Sequence, residues 1–439
     1  MQYTLIFDIG KTNEKCLLLD EHYQVVWKTY AQFEELKDED GFPCDDLAGI
    51  IQWVKETVHE LLNKDNYDIQ YLNFSTYGAS LVHIDEKKQP LFPLYNYLKP
   101  YPMDILSDFH KKYGLEMDFA AATASPPSGM LNSGMQLYWL KKTKSERFAR
   151  VAHSLHFPQY LSYFFTGVPQ SDFTSIGCHT SLWDYSKRAY HEWVQAENLQ
   201  KKLPPLVPST TRITTSIEGK NVAVGAGIHD SSAALVPYLQ RTKVPFLLLS
   251  TGTWSVALNP FSDQLLSKED LANDCLNYLQ INGRPVRASR LFLGNEYQKQ
   301  VEKLADHYRV DSSIFQKVKF DIAIFQKVKQ LSATCFTFNS IKKNRQQPTA
   351  TRFDQLDNFQ IAYHQLMWEL VELQMESLQR AIGNTPIEKI FIDGGFVDND
   401  CFVELLKQHF PQYSLEIMPT PLGSALGAAM VVNGDVDFL

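Results

Sequence analysis

Two stretches decide the fold: TLIFDIGKTNEKCLLLD, residues 4–20, and PFLLLSTGTWSVALNPF, residues 245–261. Each reads as an apolar strand, a glycine turn carrying polar side chains, and a second strand. One lies near the start of each half of the chain. A hairpin repeated in this way predicts two α/β domains of related architecture with a cleft between them. The length of 439 residues agrees: it is too long for one compact core and suits two domains of roughly 200 residues.

Outward from the first hairpin, YQVVWKTY (23–30) continues the sheet, and DDLAGIIQWVKETVHELL (45–62) has apolar residues at helical spacing. IQYLNFSTYG (69–78) returns as a strand. Residues 130–166 read as helical and broken at Pro158, with His153 and His156 packed in an aromatic helical region. The proline-rich KKLPPLVPSTT (201–211) reads as a connecting segment. The division is placed after it, giving domains 1–222 and 223–439.

In the second half, SSAALVPYL (231–239) predicts a helix. Cys275 to Leu291 predicts a hairpin, with Asn282-Gly283 as a type I′ turn. A long amphipathic helix ends at Gly383. KIFIDGGFVDND (389–400) is a strand entering a glycine turn, CFVELLKQHF (401–410) a helix, and GSALGAAMVV (423–432) a helix with a small-residue face. IFQKVK occurs at 314–319 and 324–329, which reads as a short local duplication and not a solenoid.

Composition narrows the function. At 44% apolar, 13% aromatic and 21% charged, the chain is of ordinary globular type. A net charge of −8 argues against a nucleic-acid surface. Six scattered cysteines without a C-x-x-C pair fit free thiols in a reducing compartment. No run reaches the roughly 18 apolar residues of a membrane span, and no leader is legible, so the expected location is cytoplasmic.

Three readings compete for the glycines. GKT (10–12) resembles the tail of a P-loop, but the first glycine of that motif would fall at Leu5, inside a strand. GAGIHD (225–230) resembles a dinucleotide fingerprint, but Asp230 stands where its third glycine belongs and no acid follows near residue 250. The third reading takes three turns together: Asp8 to Asn13, Ser250 to Thr253, and Asp393 to Gly395. Each follows an apolar strand and offers backbone N–H groups with hydroxyl or amide donors, as phosphate oxygens require.

VAVGAGIHDSSAAL (222–235) sets His229 and Asp230 at the joint of a strand and a helix. An acid there can cap the helix, contact a ribose or accept a proton. Beside two phosphate-type turns, the base reading is favoured. The expected carboxylate has a near-ordinary pKa and is kept ionised by the positive end of the helix dipole.

With DIGKTN, GIHDSSAAL, LSTGTWS, DGGFVDND and GSALGAA in this order, the chain resembles the FGGY carbohydrate kinase family over nearly its whole length. Within the family it is most similar to the L-rhamnulose and L-fuculose kinase type. The resemblance implies an α/β fold of two actin-like (ribonuclease H-like) domains, sugar-binding then nucleotide-binding. It implies ATP and Mg²⁺ as cofactors, a small ketose as substrate, no nucleic-acid or membrane partner, and a homodimer as the expected assembly.

By the same resemblance, Asp230 is the general base, and His229, Gly78 and Ala79 contact the sugar. Asp8 acts near Mg²⁺ through water. Gly10, Lys11, Thr12 and Asn13 form one phosphate clamp, and Thr251, Gly252 and Thr253 the other. Gly394, Gly395 and Asn399 hold adenosine, while Gly423, Ala425 and Gly427 let the last helix pack close beside it. Three features depart from the family. Lys11 fills a turn position where many members have a small residue. Tyr97-Leu98-Lys99 replaces the Tyr-Arg-Asp of several rhamnulose-type kinases. The chain is also somewhat short. A sugar-responsive sensor without turnover and an actin-like ATPase are the competing functions.

Overall fold

A computed structural model describes residues 2–11, 13–331, 333–341, 347–417 and 422–437. Two sheets organise it. The first runs in the order Arg212–Ile217, Lys220–Gly225, Asp68–Thr76, Gln2–Ile9, Glu14–Leu19, Val25–Ala31, and Ile228–His229 joins it beside Asp68–Thr76. The second runs Cys275–Leu279, Pro285–Leu291, Ser255–Asn259, Phe246–Thr251, Lys389–Gly394, Ser414–Ile417.

The two orders are related. In each sheet a hairpin strand pairs antiparallel with its partner on one side and parallel with a later strand on the other. Gln2–Ile9 and Phe246–Thr251 are the central strands and are buried along most of their length. Their near-continuous apolar runs fit strands covered on both faces. The expected division after residue 222 falls inside the strand Lys220–Gly225, which stays with the first sheet through Gly225.

Helices follow local signals. Leu47–Leu62 starts at Asp46, whose side chain accepts from Gly49 N at 2.9 Å. Phe359–Ile382 starts at Asn358, which accepts from Ile361 N, and stops at Gly383 with φ +53°. Asp230–Arg241 and Gly423–Asn433 cross at very short range: a Cβ on Gly427 would stand 1.8 Å from the Ala233 carbonyl oxygen. The last helix lies on the first sheet. Asn73 Nδ2 donates to Ala428 O at 2.9 Å, and Arg212 Nη1 to Val432 O at 2.7 Å. The end of the chain thus closes onto its beginning.

Several local expectations need correction. Residues 130–166 hold two helices, Ser133–Thr143 and Ser145–Ala149, then the strand His153–His156, then the helix Phe157–Thr166. Pro158 does not break a helix; it sits in the first turn of one, where its missing N–H costs nothing. His153 and His156 belong to the strand, and His156 Nε2 lies 3.1 Å from Ser133 Oγ. The turn at 280–284 is not type I′, because Gly283 has positive φ and Asn282 does not. Gly283 N donates to Gln280 O, and Gln280 N to Arg284 O, enclosing a three-residue loop.

Among the described residues no helix is long and apolar enough to cross a membrane. All six cysteines are buried and free of disulfides.

Candidate active site

The two hairpin turns face one cleft of about 370 Å³, within the range of small-molecule sites. Gly10 N donates to Asn13 O at 3.0 Å in the first turn, and Gly252 N to Trp254 O at 2.9 Å in the second. Of the expected residues, Asp8, Gly10, Lys11, Asn13, Gly78, His229, Asp230, Thr251, Gly252, Thr253, Gly394 and Gly423 line this cleft. Thr12 lies outside the described residues. Ala79 is buried behind Gly78, where its carbonyl accepts from Gln136 Nε2. Gly395 follows the strand end at Gly394, off the cleft lining. Asn399 caps the helix Asp400–His409, accepting from Phe402 N, and its Nδ2 donates to Tyr363 Oη at 2.9 Å.

Asp230 is the first residue of its helix, and His229 occupies the cap position. Asp230 is therefore no capping residue. Its Oδ1 accepts from Ser231 N and Ser231 Oγ and lies 3.2 Å from His229 Nε2. The expected ordinary pKa is corrected. Removal from bulk water, and then the charge of Asp8, push the carboxyl up to about 7, outweighing the donors from Ser231. The cleft still leaves 32% of the side chain open.

His229 is buried, and desolvation lowers its pKa to about 4, so the imidazole is neutral at pH 7. Its Nε2 lies 3.1 Å from Cys178 Sγ, and its backbone N–H donates to Thr174 Oγ1 at 3.0 Å. Gly78 permits this approach: a Cβ there would stand 2.5 Å from Cys178 Sγ and 3.0 Å from His229 Nε2.

Across the cleft floor, Asp8 Oδ2 accepts from Lys15 Nζ at 2.9 Å and from Ser424 Oγ at 2.7 Å. Asp8 in turn raises the pKa of Lys15. Thr251 Oγ1 donates to Asp393 O at 2.6 Å and accepts from Phe396 N at 3.0 Å, tying the second hairpin to the third glycine turn. Gly394 has φ +89°, and a Cβ on it would stand 1.8 Å from Thr251 O, so this turn demands glycine. Burial raises the pKa of Asp393, against donors from Gly394 N and Tyr238 Oη.

Lys15, Tyr278, Arg290 and Ser424 line the cleft without having been singled out in the sequence. For Lys15 a signal existed, because a hairpin turning at residues 10–13 sets position 15 opposite Asp8. Arg290 is buried, donates to Asp274 Oδ1 at 2.7 Å and sits 5.2 Å from the Trp254 ring centre. Its strand carries no motif, and nothing local marks it.

The donor set suits a hard, hydrated cation. Asp8 and Asp393 present carboxylates beside hydroxyls, and among the described residues no three His, Cys, Asp or Glu side chains cluster as a metal cage. Mg²⁺ is held in this manner, by one or two carboxylates, several waters and substrate phosphates.

Two sheets of related order, with paired turns facing across an acid-bearing cleft, define the two-domain α/β fold of carbohydrate kinases. The family models agree. "FGGY family of carbohydrate kinases, N-terminal domain" matches residues 3–236, and "Carbohydrate kinase FGGY, C-terminal domain" matches residues 243–437. The chain belongs to the FGGY family.

It is similar to a rhamnulokinase of Halalkalibacterium halodurans, 20% identical over 58% of this chain and 56% of that protein. It is also similar to an L-fuculokinase of Haemophilus influenzae, 22% identical over 40% of this chain and 39% of that one. The chain thus spans about half, or less, of the curated relatives it matches. Among solved structures, a carbohydrate kinase from Novosphingobium aromaticivorans superposes with TM-score 0.79 at 22% identity, covering 99% of this chain and 92% of the other. A ligand-bound xylulose kinase from Lactobacillus acidophilus gives 0.83 at 16% identity, covering 99% and 89%. These likenesses carry the fold.

Proposed function

We propose that the chain is an ATP-dependent carbohydrate kinase acting on a ketose of the L-rhamnulose or L-fuculose kind at a terminal hydroxyl. One observation carries this reading: Asp230 and His229 stand in the same cleft as both phosphate-type turns. Phosphoryl transfer needs positioning and charge stabilisation more than covalent chemistry, together with a group to take the hydroxyl proton. A carboxyl titrating near 7 is matched to that task, since it ionises at working pH yet holds a proton readily.

In this reading the sugar oxygen bonds to the γ-phosphorus as the bond to the β-phosphate oxygen breaks. ADP carries away the electron pair, and Asp230 Oδ receives the proton. Neutral His229 orients that carboxylate through Nε2. The backbone N–H groups that follow Gly10 and Gly252 in the two turns hold phosphate oxygens, while those of the two glycines close the turns themselves. Mg²⁺, when bound, neutralises phosphate charge, and Asp8, steadied by Lys15 and Ser424, is the residue that would hold it through water. The first half takes the sugar and the second the nucleotide, with Gly394, Gly395 and Asn399 toward adenosine. A cytoplasmic location and a homodimer belong to the same proposal.

The product tests it. Incubation of Mg-ATP with a ketose is expected to give one sugar phosphate monoester per ADP, read by mass spectrometry and phosphorus NMR. Inorganic phosphate in place of the ester contradicts the kinase and supports the ATPase reading.

A further inference from the structure

Lys11 lies in the phosphate turn, yet its ammonium does not point along it. It pairs with Asp45 and stands 3.7 Å from Glu35, 5.7 Å from the Tyr77 ring centre and 5.9 Å from that of Tyr97. Its side chain is only 16% exposed. Asp45 is shared, since its Oδ2 accepts from Tyr77 Oη at 2.7 Å. Tyr77 and Tyr97 line the cleft next to Gly78, on the wall that also carries His229. Burial, and then the field of Asp230 among its charged neighbours, push the Tyr97 hydroxyl up to about 12. Lys15, not Lys11, serves Asp8.

Asp45 comes from a small sheet of Leu36–Lys37, Pro43–Asp45 and Leu94–Tyr95, in which Asp45 pairs with Leu94. Lys99 fastens this layer. Its ammonium pairs with the fully buried Asp38 and with Asp40 at 2.7 Å, over the rings of Tyr95 and Trp139. The two departures from the family pattern, at Lys11 and at residues 97–99, are thus parts of one assembly. Lys11 stands in the turn, Asp45 of the small sheet holds it, and Lys99 fastens the connection between the first two strands of that sheet.

Resting on the kinase reading above, we propose that Lys11 determines acceptor specificity. Held by Asp45 over Tyr77 and Tyr97, its ammonium donates to an oxygen of the sugar, not to the phosphates. An ammonium has three N–H donors, and Asp45 occupies one. The flat ring faces and a fixed donor form a wall that reads a polyhydroxylated acceptor.

The test is Lys11→Met, Lys11→Arg and Asp45→Asn, with L-fuculose, L-rhamnulose, L-ribulose and D-xylulose as probes. KM for sugar and KM for Mg-ATP are measured separately, and each sugar is also titrated without nucleotide by the fluorescence of Trp254 and the other tryptophans. Lys11→Met is expected to raise KM and Kd for the preferred sugar about tenfold or more, as for a lost charge-assisted hydrogen bond. KM for Mg-ATP stays within about twofold. Lys11→Arg recovers part of the loss, and Asp45→Asn reorders the sugars. A rise in KM for Mg-ATP with sugar binding unchanged overturns the proposal, as does no change in either. A wild type that binds sugar without turnover breaks the kinase reading and leaves Lys11 to be judged by the binding titrations. A wild type that neither binds nor turns over any of the four overturns both.

Discussion

The hairpin Gln2–Ile9/Glu14–Leu19 and the hairpin Phe246–Thr251/Ser255–Asn259 occupy equivalent places in their sheets, but their chemistry differs. The first carries charge: Asp8, Lys11 and Lys15 all line the cleft. The second presents Ser250 and Thr253, hydroxyls without charge, beside its backbone N–H groups, while the Thr251 proton is already given to Asp393 O. One scaffold has been used twice, once to place ions and once to present neutral donors. The first turn is held by ion pairs to Asp45 and Asp8, and the second by the Thr251 hydroxyl and the glycine that admits it. Substitutions in the two hairpins are therefore expected to fail in different ways.

The largest effect is expected between them. Asp230→Asn should lower sugar-dependent turnover by about 10²–10⁴-fold, the usual contribution of a positioned base, while ADP binding by calorimetry is retained. In the wild type, kcat/KM should rise with pH and level off above about 7, because Asp230 must be ionised to accept the proton. A pH-independent rate between about 5 and 9 would remove Asp230 from that role.

Breaking the second hairpin should cost stability. Gly394→Ala forces a side chain into φ +89° and against Thr251 O. It is expected to destabilise the fold by about 2–3 kcal/mol, read as a drop in urea midpoint. An unchanged midpoint would mean that the third turn is not pinned to this hairpin.

Breaking the first hairpin should cost rate. Lys15→Met removes a charge-assisted donor from Asp8, and kcat/KM is expected to fall roughly 10- to 100-fold with little change in melting temperature. Equal losses of rate and stability would erase the contrast between the two hairpins.

The smallest effect concerns Asp230 and stability. Its folded pKa stands above the ordinary value, so the folded chain keeps a proton through the interval from about 4 to about 7 in which the unfolded chain releases it. The associated stability is complete below about pH 4 and is lost as pH rises through about 7. Asp230→Asn should accordingly melt higher than wild type at about pH 8 and equal it near pH 4. Water in the cleft screens the charge, so the gain is small. A lower melting temperature for the variant at pH 8 would contradict the raised pKa.

Both hairpins, the strand–helix joint at Asp230 and the closing helix were legible because hydrophobic period and glycine punctuation are local signals. The strand His153–His156 was not, since four residues between helices are too few to show a period, and Pro158 marks a helix start as readily as a break. The pKa of Asp230 was illegible for another reason. The dipole of its helix can be read from sequence, but burial and the facing Asp8, more than 200 positions away, cannot. Ser424, which donates to Asp8 from the far end of the chain, is hidden in the same way. The Asp8–Lys15 pairing was within reach, because hairpin register follows from the position of the turn.

The most direct test of the central claim is ADP release from Mg-ATP with L-fuculose, L-rhamnulose, L-ribulose, D-xylulose or glycerol, against a tube without sugar. A ketose kinase is expected to give a high rate with one ketose and near-silence without an acceptor. Equal release in every tube, or none in any, would contradict that claim.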